Sequence, residues 1–177
     1  MSDTPTVEQQ LQAPFHPNDI EWRAQQSGIK NGNPWCLVLA YVTNRAIMAR
    51  FDNVFGSLGW QNQFRDIPNG KGVECGISVY NNISMQWVTK WDAADSTEIE
   101  STKGGRSSSM KRAAVQWGVG RYLYSLESAF ADCGLGNKPN NARCVKTVFK
   151  DNNNKKSYGY FVVPNLPDWA LPVVNNN

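Results

Sequence analysis

Three short segments in the middle of the chain constrain its fold more than any other feature. Residues 60–66 alternate between apolar and polar side chains, which is the pattern of a strand with one buried face. Residues 73–80 and 85–91 are also of strand length, and Asn69-Gly70 and Asn81-Asn82 separate the three segments with typical turn residues. Strands this close in sequence pair with their neighbours, so we expect a three-stranded antiparallel meander.

A helix is predicted on each side of this meander. The first begins after residues 43–44, ends at Gly56, and has apolar residues at the spacing of one helical face: Ile47, Phe51, Val54 and Phe55. The second covers residues 107–125 and begins with three serines, which cap helices well. Gly118 and Gly120 interrupt its helical pattern and indicate a bend or a close packing contact.

The segments before the first helix are less regular. Residues 1–14 are polar and predict a flexible arm, and residues 15–22 predict a docking turn or a short helix. Residues 27–34 have the composition of a loop, whereas the apolar run WCLVLAYV at residues 35–42 predicts a strand. With the meander and both helices, these segments predict one α+β domain over residues 15–132.

The composition changes after Asp132, where Asn, Gly and Lys dominate. Residues 145–149 and 158–163 predict a hairpin around a polar turn, and several prolines make the stretch beyond it extended. We therefore treat residues 133–177 as a separate C-terminal hairpin with an extended tail. The complete fold class is α+β with a small C-terminal hairpin.

The most basic region of the sequence is residues 103–124. It contains five cations: Lys103, Arg106, Lys111, Arg112 and Arg121. The serines and the positive end of the helix dipole favour phosphate at the start of this helix. Arg45, Arg50 and Lys90 would extend the basic surface if the first helix packs beside the sheet. The net charge of +3 is too small to show by itself that this surface binds phosphate. A phosphate-binding surface and a solvated basic helix face therefore both stay open.

Several classes of chemistry are excluded or disfavoured by missing residues. The sequence has no GxxxxGK[ST] motif, which disfavours an ATP-driven recombinase. Its only histidine is His16, and its four cysteines form no CxxC pair, which disfavours metal sites of the histidine-rich or zinc-ribbon kind. We expect free thiols, no cofactor and no enzymatic activity.

Residues 93–105 are polar and predict a mobile loop. The carboxylates in and beside it allow two interpretations: Asp92, Asp95, Glu98 and Glu100. Such a cluster can hold Mg²⁺ for nucleic-acid cleavage, which would make the protein a metal-dependent nuclease. The alternative, a solvated loop without a fixed scaffold, is favoured.

The N-terminus, MSDTPTVEQQ, lacks the features of a secretory signal, and no apolar run approaches the roughly 20 residues that span a bilayer. We therefore expect a cytoplasmic protein without a membrane partner.

Five segments together resemble the bacterial and phage branch of the Rad52/Rad22 family of single-strand annealing proteins. They are APFHPNDIEWR (13–23), AYVTNRAIMARFDNVFGSLGWQNQF (40–64), GVECGISVY (72–80), WVTKWDAADSTEIESTKGG (87–105) and SSSMKRAAVQWGVGRYLY (107–124). The resemblance implies a β-β-β-α core in which a long helix crosses a curved antiparallel sheet. It also implies a homo-oligomer, either a ring or a helical filament, that binds single-stranded DNA and anneals complementary strands without ATP.

The same resemblance implies site residues. The family's Lys-Arg pair on the helix after the meander contacts the DNA backbone, and it corresponds here to Lys111 and Arg112. The basic residue at the start of the first helix is Arg45. Eukaryotic members have a further arginine one turn after the pair, where this chain has Val115, and Arg121 is a candidate to compensate.

Further partners and a second function stay open. Double-stranded DNA and a single-strand binding protein are additional candidate partners. The main alternative function is passive protection of single strands or 3′ ends, which would block nucleases without accelerating annealing.

Overall fold

The computed structural model describes residues 4–68, 72–95, 101–126 and 128–173, and only the backbone of residues 101–103. The fold is mixed α+β with antiparallel sheets, as the sequence predicts. The helices are α1 (Val7–Gln12), α2 (Asn44–Phe55) and α3 (Ser101–Gln116). The strands are β1 (Ile20–Lys30), β2 (Asn33–Val42), β3 (Trp60–Asp66), β4 (Gly72–Asn81), β5 (Gln86–Asp95), β6 (Ala129–Ala131), β7 (Cys133–Leu135), β8 (Cys144–Lys150) and β9 (Lys156–Val162). Short 3₁₀ turns cover Pro17–Asp19, Arg121–Ser125 and Asp168–Ala170.

The predicted meander is confirmed as the antiparallel sheet β3-β4-β5. The Asn81 side chain closes its second turn by accepting hydrogen bonds from the amides of Ile83 and Ser84. The predicted Asn69-Gly70 turn lies outside the described residues. Helix α3 packs on β4 and β5, where the Trp117 indole just after it donates to the Ile77 carbonyl at 3.1 Å. This arrangement is the expected β-β-β-α core.

The second helix begins earlier than predicted. Residues 93–105 were expected to form a loop, but β5 continues to Asp95 and α3 begins at Ser101. The poor helix formers in its first turns are compatible with a helix because packing overrides local propensity. Gly105 is buried against the sheet, and a Cβ atom there would lie 3.1 Å from Val73 Cγ2. The glycine therefore allows the helix to approach β4 closely.

Strand β1 was missed. Residues 15–22 were expected to be a turn or short helix and residues 27–34 a loop, whereas the 3₁₀ turn is short and β1 pairs with β2 along almost its whole length. The centre of β1 is polar because it faces solvent, and only a few residues, such as Ile20 and Trp22, are buried. In place of the expected loop, the two strands are joined by the short turn Asn31-Gly32, where both residues have positive φ angles.

The predicted flexible arm contains a helix. Thr6 and Gln9 form a reciprocal capping box at the start of α1, which satisfies two backbone amides that would otherwise lack partners. Leu11 is buried in the core, so this helix is held against the domain by packing. Two apolar residues in a polar stretch, Val7 and Leu11, show too little periodicity for this helix to be predicted.

The C-terminal hairpin is confirmed as β8-β9, and β7 pairs with the other side of β9. Its Phe149 and Phe161 are fully buried in the same apolar cluster as Phe51 and Ile77. The hydrophobic core therefore continues across residue 132. Within the residues described above, no helix is long and apolar enough to cross a membrane.

Candidate nucleic-acid interface

Lys111 and Arg112 follow each other on α3 but have opposite environments. Lys111 is 8% exposed, and its ammonium donates to the Glu21 carboxylate on β1. Burial lowers the pKa of Lys111, and the bond to Glu21 opposes that effect. The Arg112 side chain is 54% exposed, and its Nε donates to Asp92 Oδ1 at 2.9 Å. This bond raises the pKa of Arg112.

Two adjoining depressions run along the face of α3 that carries these residues. One lies between α3 and β2, and its lining includes Arg23, Tyr41, Lys111 and Arg112. The other lies where the start of α2 meets the second turn of α3, and its lining includes Glu21, Arg45, Phe64 and Arg106. Lys111 lines the first depression and Glu21 lines the second. The two depressions therefore meet at the ion pair between these residues. We call the two depressions together the α3 groove.

The structure brings four of the predicted site residues into the α3 groove. They are Arg45, Arg106, Lys111 and Arg112. Arg45 is exposed in the first turn of α2, and Arg106 is exposed with its guanidinium carbon 5.7 Å from the centre of the Phe64 ring. The Asn44 amide donates to the Ser107 hydroxyl at 3.3 Å and holds the start of α2 against the second turn of α3. Lys103 lies in the first turn of α3, and its side chain is outside the described residues.

Two other predicted site residues bind the end of α3. Lys90 Nζ donates to the Gln116 carbonyl at 3.0 Å and lies 4.4 Å from the centre of the Trp117 ring. Arg121 donates to the carbonyls of Val115 and Gln116. The last carbonyls of a helix lack partners within the helix and carry partial negative charge, so both cations stabilise this helix end.

Arg50 binds the N-terminal segment and does not face the α3 groove. Its guanidinium donates to a series of backbone carbonyls in the last turn of α1 and just after it: Gln10, Leu11, Ala13 and Pro14. It also lies 3.9 Å from the centre of the Phe15 ring. These contacts direct Arg50 away from the α3 groove, which does not include it among its lining residues.

The α3 groove includes a cation that sequence reasoning missed. Arg23 on β1 has a side chain that is 51% exposed, and its Nη2 lies 3.0 Å from Glu21 Oε1. It was missed because β1 was not predicted, so nothing placed residue 23 beside residue 111. Two tyrosines also line the groove, Tyr41 on β2 and Tyr124 in the 3₁₀ turn after α3, and Tyr124 is exposed. The only available signal was the position of Arg23 within the segment APFHPNDIEWR.

Of the four carboxylates considered as a nuclease centre, Asp92 binds Arg112, Asp95 is exposed at the end of β5, and the other two lie outside the described residues. Asp92 Oδ1 accepts from Arg112 and from the backbone amide of Ala93 at 2.7 Å. Glu98 and Glu100 belong to the residues that the structure does not describe. Among the residues it does describe, no three His, Cys, Asp or Glu side chains are grouped closely enough to hold a metal ion.

Comparisons with known proteins agree with the resemblance noted in the sequence. The model of the Rad52/22 family of double-strand break repair proteins matches residues 3–142. The single-stranded DNA-binding protein DdrA of Deinococcus radiodurans is 30% identical over 168 residues, which cover 94% of this chain and 68% of the relative. The protein of the same name from Deinococcus deserti is 29% identical over 122 residues, 68% of this chain and 57% of the relative. The chain therefore belongs to the Rad52/22 family of double-strand break repair proteins.

Proposed function

We propose that the α3 groove binds the backbone of single-stranded DNA and that the protein anneals complementary strands without ATP. The observation that carries this proposal is the alignment of Arg45, Arg106, Lys111 and Arg112 along one groove, although Arg45 comes from α2 and the other three from α3. The names of the two Deinococcus relatives support the choice of single-stranded DNA.

The mechanism is physical and needs no chemical step. Arginine and lysine side chains contact phosphates regardless of sequence, so the groove holds any strand by its backbone. The bases then face outward and can pair with a second strand, and formation of the duplex supplies the driving force. Phe64 and Tyr124 line the groove and are candidates to stack on bases at its edges.

The assembly belongs to the same proposal. We infer a homo-oligomeric ring or helical filament in the cytoplasm, in which the grooves of neighbouring protomers form one continuous path for the strand. Double-stranded DNA and a single-strand binding protein are its further candidate partners. Particles seen by negative-stain microscopy, with and without single-stranded DNA, would distinguish a ring from a filament.

The proposal is tested by removing two exposed cations of the groove. The double variant Arg45→Ala with Arg112→Ala should abolish most annealing of complementary oligonucleotides because two phosphate contacts are lost. Its plot of log K against log salt for single-stranded DNA should be shallower by about 1.4, or ~0.7 for each lost contact. Both side chains are exposed and the only ion pair lost is the partly exposed one between Arg112 and Asp92, so the oligomer should be retained and the melting temperature should change little.

The matched control is Lys146→Ala with Lys150→Ala, which removes two exposed cations from β8, outside the groove. This variant should anneal like the wild type and keep its salt dependence. Equal losses in both double variants would show that only net charge matters, and wild-type annealing in the groove variant would refute the site.

A second candidate function is protection of single strands or 3′ ends. It is favoured by the names of the relatives, which specify binding to single-stranded DNA and not annealing. A protein of this kind would shield a bound 3′ end from an exonuclease without accelerating the pairing of complementary strands. Measuring both activities on the same oligonucleotides separates the two functions.

A further inference from the structure

The salt bridges of the described residues are concentrated in the α3 groove. Three are formed, and all involve cations that line it: Arg23 with Glu21, Lys111 with Glu21, and Arg112 with Asp92. Two of them share one atom, because Glu21 Oε1 receives both the Arg23 guanidinium and the Lys111 ammonium. A carboxylate oxygen therefore lies between two cations in the groove where phosphates are proposed to bind.

The burial of Lys111 explains why an anion is needed at this point. The Lys111 side chain is only 9% exposed, and an unpaired ammonium in such surroundings would be costly. A phosphate oxygen is an anionic acceptor of the same kind, and arginine and lysine both bind it. The site can thus accept either a carboxylate or a phosphate without leaving the ammonium unpaired.

We propose, on the basis of the function proposed above, that Glu21 occupies a phosphate position in the free protein. A phosphate of the DNA strand replaces its carboxylate between Arg23 and Lys111, and Arg23 becomes a DNA contact. The Glu21 side chain is 33% exposed and lines the open part of the groove, so its carboxylate can move into water when displaced. Lys111 is too buried to reach a phosphate while it remains paired with Glu21.

This exchange has a consequence for annealing. Because a phosphate bound here must displace the Glu21 carboxylate, the contact contributes less net free energy than it would at an empty cationic site. The strand is held less tightly at this point and can shift its register while it tests a complementary strand. Glu21 is therefore a residue that limits the affinity of the groove, and Arg23 is a binding residue beside it.

The test uses Glu21→Gln in the full chain and a thymidine oligonucleotide as the probe. Glutamine keeps the shape and an acceptor oxygen for Lys111, but it removes the competing negative charge. We expect binding to be tighter by about 5-fold, the size of one partly exposed ion pair. The slope of log K against log salt should become steeper by about 0.7. The wild-type protein should also release the oligonucleotide faster than the Glu21→Gln variant does.

The matched control is Asp19→Asn, which changes the charge of the same groove by the same amount. Asp19 also lines the α3 groove, but it takes part in none of the salt bridges of the described residues. The Asp19→Asn variant should change the affinity for the oligonucleotide much less than Glu21→Gln does. An equal gain in both variants would reduce the effect to net charge and overturn the proposal, as would unchanged or weaker binding by Glu21→Gln.

Arg23→Gln is the second variant, and it tests the site without disturbing the buried lysine. Its side chain is half-exposed, so the fold should be retained. We expect weaker binding and a slope that is shallower by about 0.7. A variant with wild-type affinity would exclude Arg23 from the site. Failure of the wild type to bind DNA at all would refute the proposed function, whereas normal binding with no effect of residues 21 and 23 would refute only this inference.

Discussion

The basic residues of this chain differ in what their charges contact, and Arg50 is the clearest example. Its Nη1 donates to the carbonyls of Gln10 and Ala13 at 2.7 and 2.8 Å, and its guanidinium lies over the Phe15 ring. The Arg50 guanidinium is partly removed from water, and this burial lowers its pKa. Arg45, five residues earlier on α2, is exposed and lines the α3 groove.

Arg50→Met should therefore lower stability and not DNA binding. Methionine keeps much of the apolar stem but leaves several partly buried carbonyls without a donor, so the free energy of unfolding should fall by about 2–3 kcal/mol in urea titrations. Arg45→Met on the same helix is the control, and its stability should stay within about 0.5 kcal/mol of the wild type while its DNA affinity falls. A reduced salt slope in Arg50→Met, with full stability, would contradict this division of roles.

At the scale of elements, the end of α3 depends on two glycines. Gly118 and Gly120 both have positive φ angles, so the chain leaves the helix in a conformation that disfavours other residues. A Cβ atom on Gly120 would lie 2.6 Å from Val42 Cγ2 on β2. The interruption predicted from these glycines is thus both a bend and a close contact. It directs the following 3₁₀ turn, which carries Tyr124, back along the groove.

Gly120→Ala should destabilise the protein by about 2–3 kcal/mol, because the strained φ angle and the clash with Val42 add together. Gly136→Ala provides the comparison, since Gly136 has a φ of 81° but no atoms within 4 Å of its added Cβ. That variant should lose only about 1 kcal/mol. Chemical denaturation of both variants measures the difference, and equal losses would show that the contact with Val42 contributes nothing.

At the scale of the whole molecule, the C-terminal sheet shares its core with the rest of the chain. Phe149 and Phe161 have no exposed surface and belong to the cluster that includes Phe51 and Ile77. The Arg143 guanidinium also donates to the Ile20 carbonyl at 3.0 Å, which ties the start of the hairpin to β1. The amino-acid composition changes at residue 132. That this position also divides two folding units remains a prediction.

Phe161→Ala tests whether the two parts unfold together. We expect a loss of about 3–5 kcal/mol, and we expect tryptophan fluorescence and far-ultraviolet circular dichroism to report one shared transition. Phe130→Ala is the control, because Phe130 is 75% exposed and its removal should have little effect. Two separate transitions in the Phe161 variant would instead show that residues 133–177 unfold independently.

Sequence periodicity was sufficient for the elements whose information is local. The meander, α2 and the C-terminal hairpin were predicted because their strands follow each other closely or their apolar residues repeat at the spacing of one helical face. The family was also evident from ordered motifs, and the comparisons confirmed it. Helix α1 was missed because its one buried residue packs on partners that are distant in sequence. Strand β1 pairs with the adjacent β2, but it was missed because its centre is polar and exposed and shows no apolar alternation.

The sequence by itself determined the α+β class, the family and the basic character of α3. Only the tertiary structure decided which cations line one groove and what each contacts. Glu21 and Lys111 are 90 positions apart, and no local pattern could show that β1 brings a carboxylate to a buried ammonium. The same holds for Lys90, Arg50 and Arg121, whose partners are backbone carbonyls. Residue type specifies the charge, but packing decides whether that charge is paired inside the fold or left for a phosphate.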